Sequence, residues 1–138
     1  PYLINKKRVL NLKNKKHFFS IWPSIYPTSC IAIRRDFFNF FLNYIKKNNY
    51  KNLEIDSRLV IFSSILRKYK LINKTYTNYI YDNQGISSKY NKFSKNWWKK
   101  RYEAFDYLIY LSNKFGIKFS KGPDYYLTKI INCFFIFE

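Results

Sequence analysis

Apolar residues recur every three to four positions in four stretches of the chain, and each stretch predicts a helix. Over 37–48 the stripe is Phe37, Phe41 and Ile45, widened by Phe38, Leu42 and Tyr44, with Asp36 as the cap. Over 57–69 it is Leu59, Phe62, Ile65, Leu66 and Tyr69. Asp56 or Ser57 caps that helix, and Arg58, Arg67 and Lys68 take its wet side. Ser94 caps a long helix to Lys114, with Trp98, Tyr102, Phe105, Leu108, Ile109 and Ser112 along one side and Gly116 as the stop. Gly122-Pro123-Asp124 opens the last helix, over 124–137, whose stripe is Leu127, Ile130, Ile131 and Phe134.

Between the helices, 17–22, 29–34 and 74–81 read as strands, the last rich in Thr and Tyr. Pro23 and Pro27 mark a rigid turn, and 86–93 reads as a polar loop. The expected fold is therefore mixed α/β and helix-rich, with a few short strands and about four helices. It forms a single partial domain over 1–138, in which 115–138 is a C-terminal helical extension.

Composition adds a core and a charge. At 47% apolar residues the chain has enough to bury, which argues against disorder. The formal net charge is +18, and of 26 basic residues 20 are Lys and only 6 Arg. Asn, Ile, Phe and Tyr are abundant too, a joint bias that AT-rich coding DNA produces. Part of the charge is then read as solvated faces. The remainder is a positive field suited to phosphate groups, anionic lipid or nucleic acid.

The chain has no Met and begins at Pro1, so it reads as a fragment lacking its N-terminal part. Cys30 and Cys133 lie in apolar runs without metal or redox spacing, and read as buried thiols of a reducing compartment. No apolar run reaches the length of a membrane span. A cytoplasmic location, including the inner face of the cytoplasmic membrane, is expected.

Two segments carry candidate chemistry. Glu54 and Asp56 are the only carboxylates between Asp36 and Asp82. Asp56 either simply caps the helix that follows or serves as a general base, held as the anion at a helix start. The second segment is the hydroxyl-rich loop Gly85-Ile86-Ser87-Ser88, followed by Lys89 and by Trp97, Trp98, Lys99, Lys100 and Arg101. Hydroxyls beside cations suit a diphosphate, and the aromatics suit stacking on a sugar or base. The competing reading is a connecting loop and a basic helix face packed by its tryptophans. His17 reads as a core residue, and Arg34 and Arg35 as ion-pair partners more than phosphate ligands.

Taken in order, four segments resemble the C-terminal half of a family 2 glycosyltransferase with the GT-A fold. They are Cys30-Ile-Ala-Ile-Arg-Arg-Asp-Phe-Phe38, Leu53-Glu-Ile-Asp-Ser-Arg-Leu59, Thr77-Asn-Tyr79 leading to Gly85-Ile-Ser-Ser88, and Asn96-Trp-Trp-Lys-Lys-Arg101. The resemblance covers about residues 20–114. It implies inverting transfer of a sugar from a nucleotide-sugar donor to a hydroxyl of a glycan or lipid-linked acceptor.

Asp56 would be the catalytic base, and Glu54 an acceptor contact or a support to the base. The family usually has adjacent Glu-Asp, whereas Ile55 separates the two here, so either carboxylate can be the base. Ser87, Ser88, Lys89 and Arg101 would bind the donor diphosphate, and Trp97 and Trp98 would stack on sugar or base. A divalent metal, Mg or Mn, is implied, with ligands outside this chain. The nucleotide-binding half is likewise expected elsewhere, so this piece alone would be inactive.

Two other classes compete. A nucleic-acid-binding module is permitted by charge and aromatics, but the basic residues are spread out and no recognition motif is present. A membrane-surface module without catalysis is the other, with the last helix lying at the interface beside Lys129.

Overall fold

The computed structural model describes residues 31–46, 49–66 and 91–135. They form four helices: α1 (Arg35–Leu42), α2 (Ile55–Ile65), α3 (Lys95–Lys114) and α4 (Pro123–Phe134). The α/β expectation is corrected. Among the described residues there is no strand, and helix dominates. The part of the 29–34 strand that is described, residues 31–34, has no ladder partner among them. Ala32, Ile33 and Arg34 are exposed there, so the apolar run was too short to require two covered sheet faces. The expected strands at 17–22 and 74–81 lie outside the described residues.

The helices begin and end for local reasons. The Ser94 hydroxyl accepts from the Trp97 backbone N–H at 3.2 Å, the cap the sequence predicts for α3. At the other end Gly116 adopts φ +63, a conformation a Cβ disfavours. Ile117 N then donates to Ser112 O at 2.9 Å and Gly116 N to Asn113 O at 3.5 Å, closing the helix in a Schellman turn. α1 stops at Leu42, six residues short of the predicted end, and Lys46 at φ 51 turns the chain toward α2.

α2 is the central element. Ser57, Arg58, Leu59, Ile61, Phe62, Ser64 and Ile65 are all buried, so Arg58 is not on a wet side, and Arg67 and Lys68 lie outside the described residues. Phe62, fully buried, sits among the rings of Phe37, Phe40, Phe41, Tyr44 and Phe115 at centroid distances of 5.4–5.9 Å. Such tilted and edge contacts add to the area each ring removes from water.

Arg58 corrects a specific expectation. Instead of facing water it is 6% exposed. Its Nε donates to Leu53 O at 2.8 Å and its Nη1 to Ile45 O at 3.0 Å, while Nη2 donates to Tyr50 O. Its guanidinium also lies over the Tyr50 ring. The α1–α2 connection is non-helical, so its carbonyls need donors when buried. A forked side chain with five N–H groups supplies several from one residue.

α3 holds the N-terminal approach to α2 with a carboxylate. Glu103 Oε2 accepts from the backbone N–H groups of Asn52 and Leu53 at 2.7 and 2.8 Å, and Oε1 accepts from Asn52 Nδ2 at 2.6 Å. An ionised acceptor satisfying backbone donors makes a stronger bond than a neutral one. Glu103→Ala is expected to lower stability by about 2 kcal/mol, since it leaves two part-buried N–H groups without that acceptor. Urea unfolding monitored by circular dichroism checks this, and an unchanged midpoint would refute the clamp.

A tyrosine pair lies behind the clamp. Tyr50 and Tyr107 meet edge-on at 5.2 Å, and the Tyr50 hydroxyl donates to Asp106 Oδ2 at 3.1 Å. Burial raises the phenol pKa of both, and Asp106 raises that of Tyr50 further. Because the folded-state values are raised, the unfolded chain ionises first, at about pH 10. Stability from these groups is therefore full below about pH 10 and declines above it.

Tyr107 is fully buried and its hydroxyl has no hydrogen-bond partner among the described residues. Tyr107→Phe should raise stability by about 1 kcal/mol at neutral pH and make the alkaline decline shallower. Tyr50→Phe should cost about 1 kcal/mol, because it breaks a made bond. Denaturant midpoints at pH 7 and pH 10.5, roughly bracketing the phenol range, distinguish the two. Equal losses in both variants would refute the assignment.

α4 packs on α3 with the opposite face from the predicted one. Asp124, Thr128 and Asn132 are buried, whereas Leu127, Ile130 and Phe134 of the predicted stripe are exposed. Polar pairing explains the inversion. Arg101 on α3 forms an ion pair with Asp124, and Asn132 Nδ2 donates to the Trp98 carbonyl at 3.0 Å. Cys133, expected buried, is exposed on the same outward side.

Candidate functional site

Asp56 stands in the first turn of α2, two residues beyond the N-cap position, and so is not the cap. The N-cap position is taken by Glu54, whose side chain makes no cap bond. Chain direction explains the difference: Leu53 is buried at 1% exposure and Ile55 is exposed, so the helix starts as soon as Leu53 is anchored. Asp56 Oδ1 accepts from the Ser57 backbone N–H at 2.6 Å, and its side chain is half-buried. A carboxylate at this position faces the positive end of the helix dipole.

Glu54 points to α3. Its Oε2 lies 2.5 Å from Lys100 Nζ and accepts from the Ser57 hydroxyl at 3.3 Å. The acidic segment and the aromatic-basic helix start, remote in sequence, are thus joined in space. Lys95, Lys99 and Arg101 occupy the same first turns of α3.

The two tryptophans divide. Trp98 is 8% exposed and its carbonyl is bound by α4, so it acts as a core residue between the helices. Trp97 is half-buried, with the Phe93 ring at 5.3 Å and the Arg101 guanidinium 4.6 Å from its own ring centre. Phe93 is 67% exposed and holds φ 65, a conformation bulky side chains rarely adopt. It stands beside Trp97 as an aromatic that the sequence pattern did not single out.

Arg101 is engaged by Asp124, so a diphosphate at this residue competes with a carboxylate already in place. Ser87, Ser88 and Lys89 lie outside the described residues. Asp36, the remaining acidic residue of the N-terminal part, pairs with Arg34 at 2.9 Å on the surface. A backbone hydrogen bond and the Arg34 charge hold its carboxyl below the ordinary range.

Glu103 and Arg58 position the acidic segment, and neither was legible beforehand. Glu103 lies off the apolar stripe of α3, where a carboxylate ordinarily means solvent. Arg58 sits next to a candidate base, where a cation reads as surface charge.

Among the described residues no group of three or more His, Cys, Asp or Glu is placed to hold a metal ion. The resemblance places the ligands of its divalent metal outside this chain. No family model, no curated protein and no solved structure matches this chain.

Proposed function

We propose that this chain is the acceptor-side part of a sugar-nucleotide-dependent glycosyltransferase, with Asp56 as its general base. What supports the reading is one juxtaposition: Glu54, next but one to Asp56, lies 2.5 Å from Lys100 in the aromatic-basic start of α3. A solvated acidic cap has no need of that neighbour. A transfer site needs a base and cations close together, because a hydroxyl loses a proton on one side while a diphosphate departs on the other.

In the proposed step Asp56 takes the proton of an acceptor hydroxyl. That oxygen forms a bond to the anomeric carbon, and the bond from that carbon to the diphosphate breaks with its electron pair leaving on phosphate. The configuration at carbon inverts. Glu54, tied to Lys100, fixes the direction of the segment that carries the base. Trp97, flanked by Phe93, offers a face to the sugar or the acceptor.

The test is release of nucleoside diphosphate by the whole protein across a panel of nucleotide sugars with glycan and lipid-linked acceptors. Acceptor-dependent release from one donor, lost in Asp56→Asn, is the expected result. Release that is unchanged in that variant, or none with any pair, would overturn the reading.

A further inference from the structure

α4 has its polar side in and its apolar side out. Tyr126, Leu127, Ile130 and Phe134 are 54%, 51%, 56% and 70% exposed. At about 100° per residue these four fall on one stripe, and Lys129 borders it. Contiguous apolar surface of this kind marks an interaction face more often than isolated exposed residues do.

The charge around the face points to what covers it. Lys121, just before α4 and over the Tyr125 ring, and Lys129, on α4 itself, are both exposed. The one carboxylate in the segment from 114 to 135, Asp124, is buried against Arg101. The described face is therefore apolar with positive charge at its border. A second copy of a chain at +18 brings like charge to it. An anionic phospholipid surface brings both acyl chain and negative headgroup.

We propose that α4 docks flat on an anionic phospholipid surface. Leu127, Ile130 and Phe134 enter the acyl boundary, Tyr126 sits at headgroup level, and Lys121 and Lys129 meet the phosphates. The helix has 12 residues, about 18 Å, and no helix among the described residues is long and apolar enough to cross a membrane. The inference stands independently of the transferase reading.

Sedimentation of the whole chain with vesicles tests it. Vesicles of phosphatidylcholine with one quarter phosphatidylglycerol should bind the protein, and pure phosphatidylcholine much less. Ile130→Ser with Phe134→Ser should weaken binding by about 100-fold, since two large apolar side chains no longer enter the bilayer. Lys129→Ala should weaken it by about fivefold. Absence of binding to the anionic vesicles, or equal binding by the double variant, overturns the proposal. So does a dimer in solution that the double variant dissociates, which makes the face a contact between copies. A fall in melting temperature in the double variant also overturns it, by showing that another segment of the chain covers the face.

Discussion

Arg58→Met is expected to destabilise the protein by about 3–5 kcal/mol, because three carbonyls in a buried setting lose the charged donor that satisfies them. The residue donates to the carbonyls of Leu53, Ile45 and Tyr50 from a nearly buried position. Methionine fills much of the same space without a donor, so the loss isolates hydrogen bonding from packing. Each abandoned carbonyl carries a desolvation penalty of about 1–3 kcal/mol. That is a large share of the roughly 5–15 kcal/mol available to a domain.

Arg58→Lys should recover only a fraction, because an ammonium is a point donor and cannot span carbonyls that a planar fork reaches together. Urea midpoints for the three proteins give the answer. A loss under about 1 kcal/mol for the methionine variant would show that water reaches these carbonyls and that Arg58 is replaceable.

Asp56→Asn is expected to lower the transfer rate by about 10²–10⁴-fold, the usual contribution of a positioned general base. The amide keeps the shape and accepts the Ser57 N–H as the acid does, but it does not take up a proton at neutral pH. Loss of the charge at the start of α2 should cost only about 0.3–1 kcal/mol of stability, so the fold survives the change. Glu54→Gln is the control that separates the two carboxylates. It removes the ion pair to Lys100 but leaves Asp56, and should lower the rate by less than about tenfold if Asp56 is the base. If Glu54→Gln is the more damaging, the roles are reversed.

Much of the helical frame was legible in the chain. Ser94, Gly116 and the Gly122-Pro123 pair mark ends that depend only on local backbone chemistry, and α3 and α4 begin where those residues place them. The Phe41, Phe62 and Ile65 positions are buried as their spacing predicts. The strand over 29–34 failed because a short apolar run has the same appearance in a strand and in a connection that leads into a helix.

For the candidate site, the sequence alone determined the residue types and the place of Asp56 at a helix start. It did not determine that Lys100 faces Glu54, that Glu103 holds the approach to α2, or that Arg101 is taken by Asp124. Those are contacts between separate helices, and no local propensity encodes them.

The outward face of α4 is the clearest case. Leu127, Ile130, Ile131 and Phe134 form an apolar stripe by spacing, and a stripe ordinarily turns inward. Only the tertiary structure set Asp124 and Asn132 against donors and acceptors on α3. Turned the other way, α4 would cover the Arg101 guanidinium and the Trp98 carbonyl of α3 with apolar side chains and leave both without these partners. Those contacts, and not the hydrophobic pattern, therefore decided which way the helix turned.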